Sequence, residues 1–247
     1  MSRRRRQANR YARTCDVFNR GYGGYNSRWC AREDVLDGAF AADARYEGRT
    51  FLATVMLGTN DATRMRDATA ERTNRVRVEL EEYAKNMRTI IARAVETSEI
   101  VVAMTPPAVD ERRRVEAQRE RWGEDWVGGP FEDHRPDVEA YGKALVDVVR
   151  EFQERRHRVY ALDLYAETRA AMERGAVLFE DGVHFGEDGQ RFVTEKLFQV
   201  LDSLDADPSV PDFPYGHEIR NPERAAMSAE EVFDDHEARR PKEALEP

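Results

Sequence analysis

The chain has 247 residues, 40% hydrophobic and 35% charged, which accommodates one or two domains, and no apolar run approaches the ~18 residues that a membrane helix requires. Its formal net charge of -9 disfavours a general nucleic-acid binder, which is usually basic; its 15 glycines and 10 prolines exclude collagen-like and low-complexity classes. Two cysteines, Cys15 and Cys30, build no disulfide scaffold and no CxxC or Cys/His zinc pattern, so they read as reduced thiols of a cytoplasmic protein.

Arg3, Arg4, Arg5 and Arg6 follow Met-Ser with no apolar segment behind them, so the start is no secretory signal. They read as a solvated end in preference to a nuclear-localisation or phosphate-binding patch. Residues 15–18 predict a first strand and residues 51–57 a second, stronger one. Helical spacing spans 73–97, with Val76, Val78, Leu80, Tyr83, Met87, Ile90, Ile91 and Val95 mostly three or four apart. Residues 100–104 predict a third strand, stopped by Pro106 and Pro107. Residues 110–125 are dense in Arg and Glu and belong to an insertion over 108–136. Helical spacing returns over 138–152 and 190–204, on either side of a fourth strand at 159–164. Residues 223–247 are charged and read as a poorly ordered tail.

Continuous apolar runs suit strands buried on both faces. Their alternation with helices predicts an α/β fold with a parallel sheet. In such sheets ligands bind beyond the carboxyl ends of the strands. The segments found there are Asn19-Arg-Gly-Tyr-Gly-Gly-Tyr-Asn26, Gly58-Thr-Asn-Asp61, Thr105-Pro-Pro107 and, after a short helix, Asp181-Gly-Val-His184.

Asp181 and His184 are three apart. In a turn, the carboxylate can reach one ring nitrogen and leave the other free as a base. The competing reading is an Asx-type turn ahead of the last helix. Asn60 can aim its amide into the crevice as an oxyanion donor, or it can cap a following helix. Gly21 to Gly24 can offer a backbone N–H or form a tight turn. They match neither GxGxxG nor a P-loop.

Together, the Gly-rich turn, Gly-Thr-Asn-Asp and Asp-Gly-Val-His resemble the SGNH (GDSL-type) hydrolase superfamily. Residues 19–29, 57–62 and 181–185 are similar to its isoamyl acetate-hydrolysing esterase branch, as is the stretch 212–223. The resemblance covers roughly residues 11 to 224. It implies a flavodoxin-like three-layer α/β/α sandwich and hydrolysis of a small-molecule carboxylic ester. It implies an oxyanion hole from the Gly24 N–H and the Asn60 side chain, His184 as general base and Asp181 as its orienting carboxylate. It implies no metal and no cofactor and specifies no oligomeric state; that there is no nucleic-acid partner is expected from the acidic charge instead.

The resemblance also calls for a Ser nucleophile in a Gly-Asp-Ser motif after the first strand, and the chain contains no such motif. Ser27, beside the Gly-rich turn, reads as the N-cap of a helix at Arg28. Residues 7–13 look like the end of the family's first helix. The expectation is therefore a truncated chain: 1–14 a helix remnant, 15–222 the hydrolase-like domain, 223–247 the tail. The family's strand order would place the absent strand between 15–18 and 51–57, leaving a slot roughly 10 Å wide. The alternative is a non-catalytic pseudo-esterase acting as a binding or scaffold protein. A nucleic-acid module with a basic terminus is disfavoured by the acidic body. The insertion, with Trp122 and Trp126, either flanks the acyl pocket or is a solvated surface.

Overall fold

The computed structural model describes residues 11, 15–40, 50–129, 133–204, 206, 228 and 231. Helices α1 (Ser27–Cys30) and α2 (Glu33–Ala39) precede strand β1 (Thr50–Met56). Strand β2 (Arg64–Met65) and helices α3 (Ala68–Arg72) and α4 (Leu80–Thr97) lead to β3 (Ser98–Met104). Helix α5 (Glu111–Trp122), a 3-10 turn (Glu124–Trp126) and β4 (Asp133–His134) follow. Then come α6 (Val138–Glu154), β5 (Val159–Leu162), α7 (Leu164–Glu173) and α8 (Glu187–Ser203).

Strands β1, β3 and β5 form a parallel sheet in the order β1-β3-β5. Met56 lies opposite Met104, and Met104 opposite Leu162. Successive side chains of a strand point to opposite faces, and β3 shows the consequence. Val101 and Ala103 join a core with Tyr83, Met87 and Ile91 of α4 and Leu145 and Val149 of α6. Ile100, Val102 and Met104 join a second core with Val193, Leu197 and Leu201 of α8. The result is the expected α/β/α layering with a parallel sheet.

Residues 15–18 are not a strand. The Cys15 N–H donates to the Tyr11 carbonyl at 2.9 Å, an i to i−4 bond of helical type rather than a ladder bond, and Phe18 is 49% exposed. No slot between two strands therefore exists at this place. Among the described residues, β1 pairs with β3 on one side and with no strand on the other.

The helix expected over 73–97 starts only at Leu80. The Asn74 side chain accepts from the Val76 and Arg77 N–H groups, and the Val78 N–H goes to the Asp61 carbonyl. These bonds compete with a helical ladder. Val78 is fully buried even so. The charged stretch 110–125 contains α5, and Asp133–His134 pairs antiparallel with Arg64–Met65, a ladder the sequence did not announce. The readings of 1–14 (Tyr11 apart) and 223–247 (Ser228 and Glu231 apart) lie outside the described residues.

Leu145 of α6 is fully buried in the core shared with α4. Leu145→Ala should lower stability by about 2–5 kcal/mol, read as a lower urea midpoint at unchanged m-value.

Candidate active site

The loop after β1 is set by its neighbours. Gly58 has φ +120°, and a Cβ there would meet the Pro106 ring and the Tyr83 hydroxyl at 3.0 Å. The Tyr83 hydroxyl donates to the Leu57 carbonyl at 3.1 Å. Residues 59–62 then turn, with the Thr63 N–H bonded to the Asn60 carbonyl. No helix starts there, so Asn60 is not a helix cap. Its Nδ2 donates to the Tyr25 carbonyl at 2.9 Å. An amide NH2 carries two protons, so one further N–H remains to be directed elsewhere.

That bond ties the loop to the Gly-rich turn. Gly24 has φ +79°, where L side chains are strained, and a Cβ would meet nothing within 4 Å. Its N–H has no backbone partner among the described residues. One residue beyond Asn60, the buried Asp61 carboxylate accepts the Ser27 N–H at 3.0 and 3.2 Å. Burial pushes the Asp61 carboxyl up, and the bonds from Ser27 oppose it.

Ser27 is the first residue of α1, and the cap is Asn26, whose side chain accepts the Trp29 N–H. The expected cap is thus displaced by one residue. The Ser27 side chain is wholly buried, and its Oγ accepts from Asn86 Nδ2 at 3.0 Å. It is not presented to a substrate. The Cys30 thiol offers no substitute, because burial and Asp61 push it up to about 11.

The second arm of the site lies before α8. Asp181 Oδ1 accepts the Val183 and His184 N–H groups at 3.1 and 2.8 Å. Its Oδ2 lies 2.8 Å from His184 Nδ1. The Asx-type turn and the carboxylate–imidazole contact, competing readings of the sequence, coexist, one on each oxygen. Partial burial alone would raise Asp181, but bonds from the His184 backbone and ring and from the Val183 N–H hold it at about 2. An ionised carboxylate only accepts. In the neutral imidazole the proton then sits on Nδ1 and the Nε2 lone pair is free. The His184 side chain is 77% exposed, so Nε2 is reachable.

Helix α5 closes on this loop. The Asp110 N–H donates to the Gly182 carbonyl at 3.0 Å. Gly182 has φ +87°, and a Cβ there would come within 2.4 Å of the Arg114 nitrogen and the Asp110 carbonyl. Arg114 Nη1 reaches Asp181 Oδ2 at 3.1 Å, while its Nε and Nη2 hold Asp133 Oδ1 at 3.0 and 2.8 Å. Asp133 also pairs with Arg135 Nη1 at 2.8 Å. Arg135 Nε donates to the Thr59 carbonyl at 2.9 Å. Burial pulls the Arg135 guanidinium below its ordinary value, and Asp133 resists.

Both loops sit at the carboxyl end of the sheet, linked through these four charges. Sequence reasoning missed Arg114, Asp133 and Arg135. No signal distinguishes them from the many solvated charges around them. Among the described residues, no group of three His, Cys, Asp or Glu side chains could hold a metal ion, and no helix is long and apolar enough to cross a membrane.

Residues 2–192 match the GDSL-like lipase/acylhydrolase family. A GDSL esterase/lipase of Arabidopsis thaliana is 28% identical over 224 residues, covering 88% of this chain and 87% of its own. An isoamyl acetate-hydrolyzing esterase 1 homolog of Rattus norvegicus is 28% identical over 200 residues, covering 79% and 72%. In structure, an alpha/beta hydrolase enzyme from the metagenome of Lake Arreo superposes with TM-score 0.57 at 19% identity over 82% of each chain. A member of the lipolytic G-D-S-L family from Veillonella parvula gives 0.51 at 16% identity, over 81% and 87%. At these identities the two structures speak for the fold.

Asp181 binds its proton less readily folded than unfolded, with about 2 against an ordinary 3.8. Its stabilising contribution is therefore complete above about pH 4 and lost as pH falls towards 2. Asp181→Asn should remove that part of the acid dependence, so the urea midpoint should fall less between pH 4 and 2 than in the wild type.

Proposed function

The chain belongs to the GDSL-like lipase/acylhydrolase family, and we propose that it serves the hydrolysis of short-chain carboxylic esters with His184 as general base. The observation that carries this reading is the 2.8 Å contact between His184 Nδ1 and Asp181 Oδ2, with Asp181 ionised and Nε2 open to solvent. The rat relative's name specifies isoamyl acetate, an ester of small acyl and alkyl groups, which fits the class.

In this scheme Nε2 takes the proton of a nucleophilic hydroxyl as its oxygen bonds to the ester carbonyl carbon. The carbonyl oxygen becomes an anion, received by the Gly24 N–H and the second Asn60 N–H. Collapse breaks the bond to the alcohol, which leaves with the proton from Nε2. Water repeats the sequence on the acyl group and releases the carboxylic acid. Asp181 stays ionised throughout and stabilises the imidazolium.

The hydroxyl is not Ser27, which is buried. We read the nucleophile as belonging to a longer form of the chain, on a Gly-Asp-Ser strand that pairs along the outer edge of β1. Two features support this. β1 pairs with no described strand on that edge, and its apolar run is only partly buried, in contrast to β3. The non-catalytic reading rests on the same missing serine.

The test is hydrolysis of a chromogenic acetate ester by residues 1–247 and by a protein extended through the upstream reading frame. The short chain should be nearly inert, since loss of a nucleophile costs about 10⁶ in kcat. The extended protein should turn over and lose that activity in His184→Ala. Robust turnover by the short chain that vanishes in His184→Ala would establish another nucleophile. An inert extended protein favours the binding role.

A further inference from the structure

We infer that Arg114 is a positioning residue that acts on the base through Asp181: it shares the charge of Asp181 with the imidazole and couples this loop to the one bearing Asn60, while the Val183 and His184 N–H groups hold the carboxylate itself. The inference deepens the ester-hydrolase reading and rests on it only for the meaning of His184.

Oδ1 of Asp181 is fixed by two backbone N–H groups. Rotation about the last side-chain torsion is then decided by what Oδ2 meets. It meets two donors, His184 Nδ1 at 2.8 Å and Arg114 Nη1 at 3.1 Å. The guanidinium is itself immobilised, because its Nε and Nη2 grip Asp133 as a fork. Asp133 is set by the two-residue ladder of β4 with β2. It also pairs with Arg135, whose Nε holds the Thr59 carbonyl next to Asn60.

Two cations and two anions thus alternate between the two arms of the site. Arg114, Asp133 and Arg135 side chains are 19%, 12% and 5% exposed, so their charges are poorly screened. Only a planar fork can serve Asp133 and Asp181 in different directions at once; a lysine ammonium is a point charge on a flexible stem. The other charges around the pair are few. Arg113 of α5 is engaged with the Glu180 carbonyl and the Glu120 carboxylate. Asp110 caps α5 at the Arg113 N–H, and Glu180 belongs to the loop itself.

A carboxylate shared with a cation donates less of its charge to the imidazole. Arg114 therefore favours the neutral, base-competent ring. A purely structural prop would act in the opposite sense, because loosening Asp181 would remove its charge from His184. The sign of one titration separates the two.

The experiment follows the carbon-bound ring protons of His184 by NMR as a function of pH, in residues 1–247 and their variants. In Arg114→Gln the midpoint should rise by about half a unit to one unit, a modest fraction of what an adjacent charge can do. Arg114→Met keeps the stem without the charge and is read in its place if the amide variant does not fold. Arg114→Lys, with the charge but without the fork, should return only part of the shift. A midpoint that falls or stays unchanged in a folded neutral variant overturns the inference. Ester turnover is not measured in this experiment, so failure of the hydrolase reading would be seen separately.

Discussion

Because β1, β3 and β5 run parallel, every segment that leaves a strand does so at the same edge of the sheet. That single constraint assembles the site. Gly58 to Asp61 leave β1, Thr105 to Pro107 leave β3, and the close approach of Gly58 to Pro106 shows the two exits in contact. The Asp181 loop lies far along the chain, beyond β5 and α7. It reaches the same edge because α5, which starts just after β3, packs its first turn on Gly182.

Once the loops meet, charge rather than apolar contact fixes their spacing. Exposed ion pairs contribute about 0–1 kcal/mol, and α5 carries several of these, such as Arg112 with Glu116. The Arg114–Asp133–Arg135 group is different. It is mostly withdrawn from water, and breaking a buried pair by removing one partner costs about 3–5 kcal/mol. Its members share partners, so the group ties the Asp181 loop to the Thr59 carbonyl beside Asn60. Asp61 plays a comparable part on the Gly-rich side, where its buried carboxylate fastens the start of α1 through the Ser27 N–H. Asp61 and Asp133 thus anchor the two arms separately, and His184 stays exposed.

Much of this was legible in the sequence. The strands at 51–57, 100–104 and 159–164 were, because continuous apolar runs of this length suit strands buried on both faces. Leu145, Leu197 and their periodic neighbours gave away the long helices. Asp-Gly-Val-His and Gly-Thr-Asn-Asp stood out by their place after strands and by their joint likeness to a family. The errors came where local pattern and tertiary demand part. Residues 15–18 look like a strand, but a strand exists only with a ladder partner. Val76 and Val78 look helical, but their N–H groups are taken by Asn74 and Asp61.

The sequence by itself determined the α/β class and most of the long helices, and it put Asp181 and His184 within reach of each other, because these depend on periodicity and on neighbours three or four positions away. Only the tertiary structure decided that Asp181 serves a turn and an imidazole at once, that Ser27 is buried, and that three of many charged residues are structural. A solvated arginine and a buried one carry the same letter. What separates Arg114 and Arg135 from the rest of a charge-dense stretch is desolvation beside Asp133, 19 and two residues away along the chain, and that is a property of packing alone.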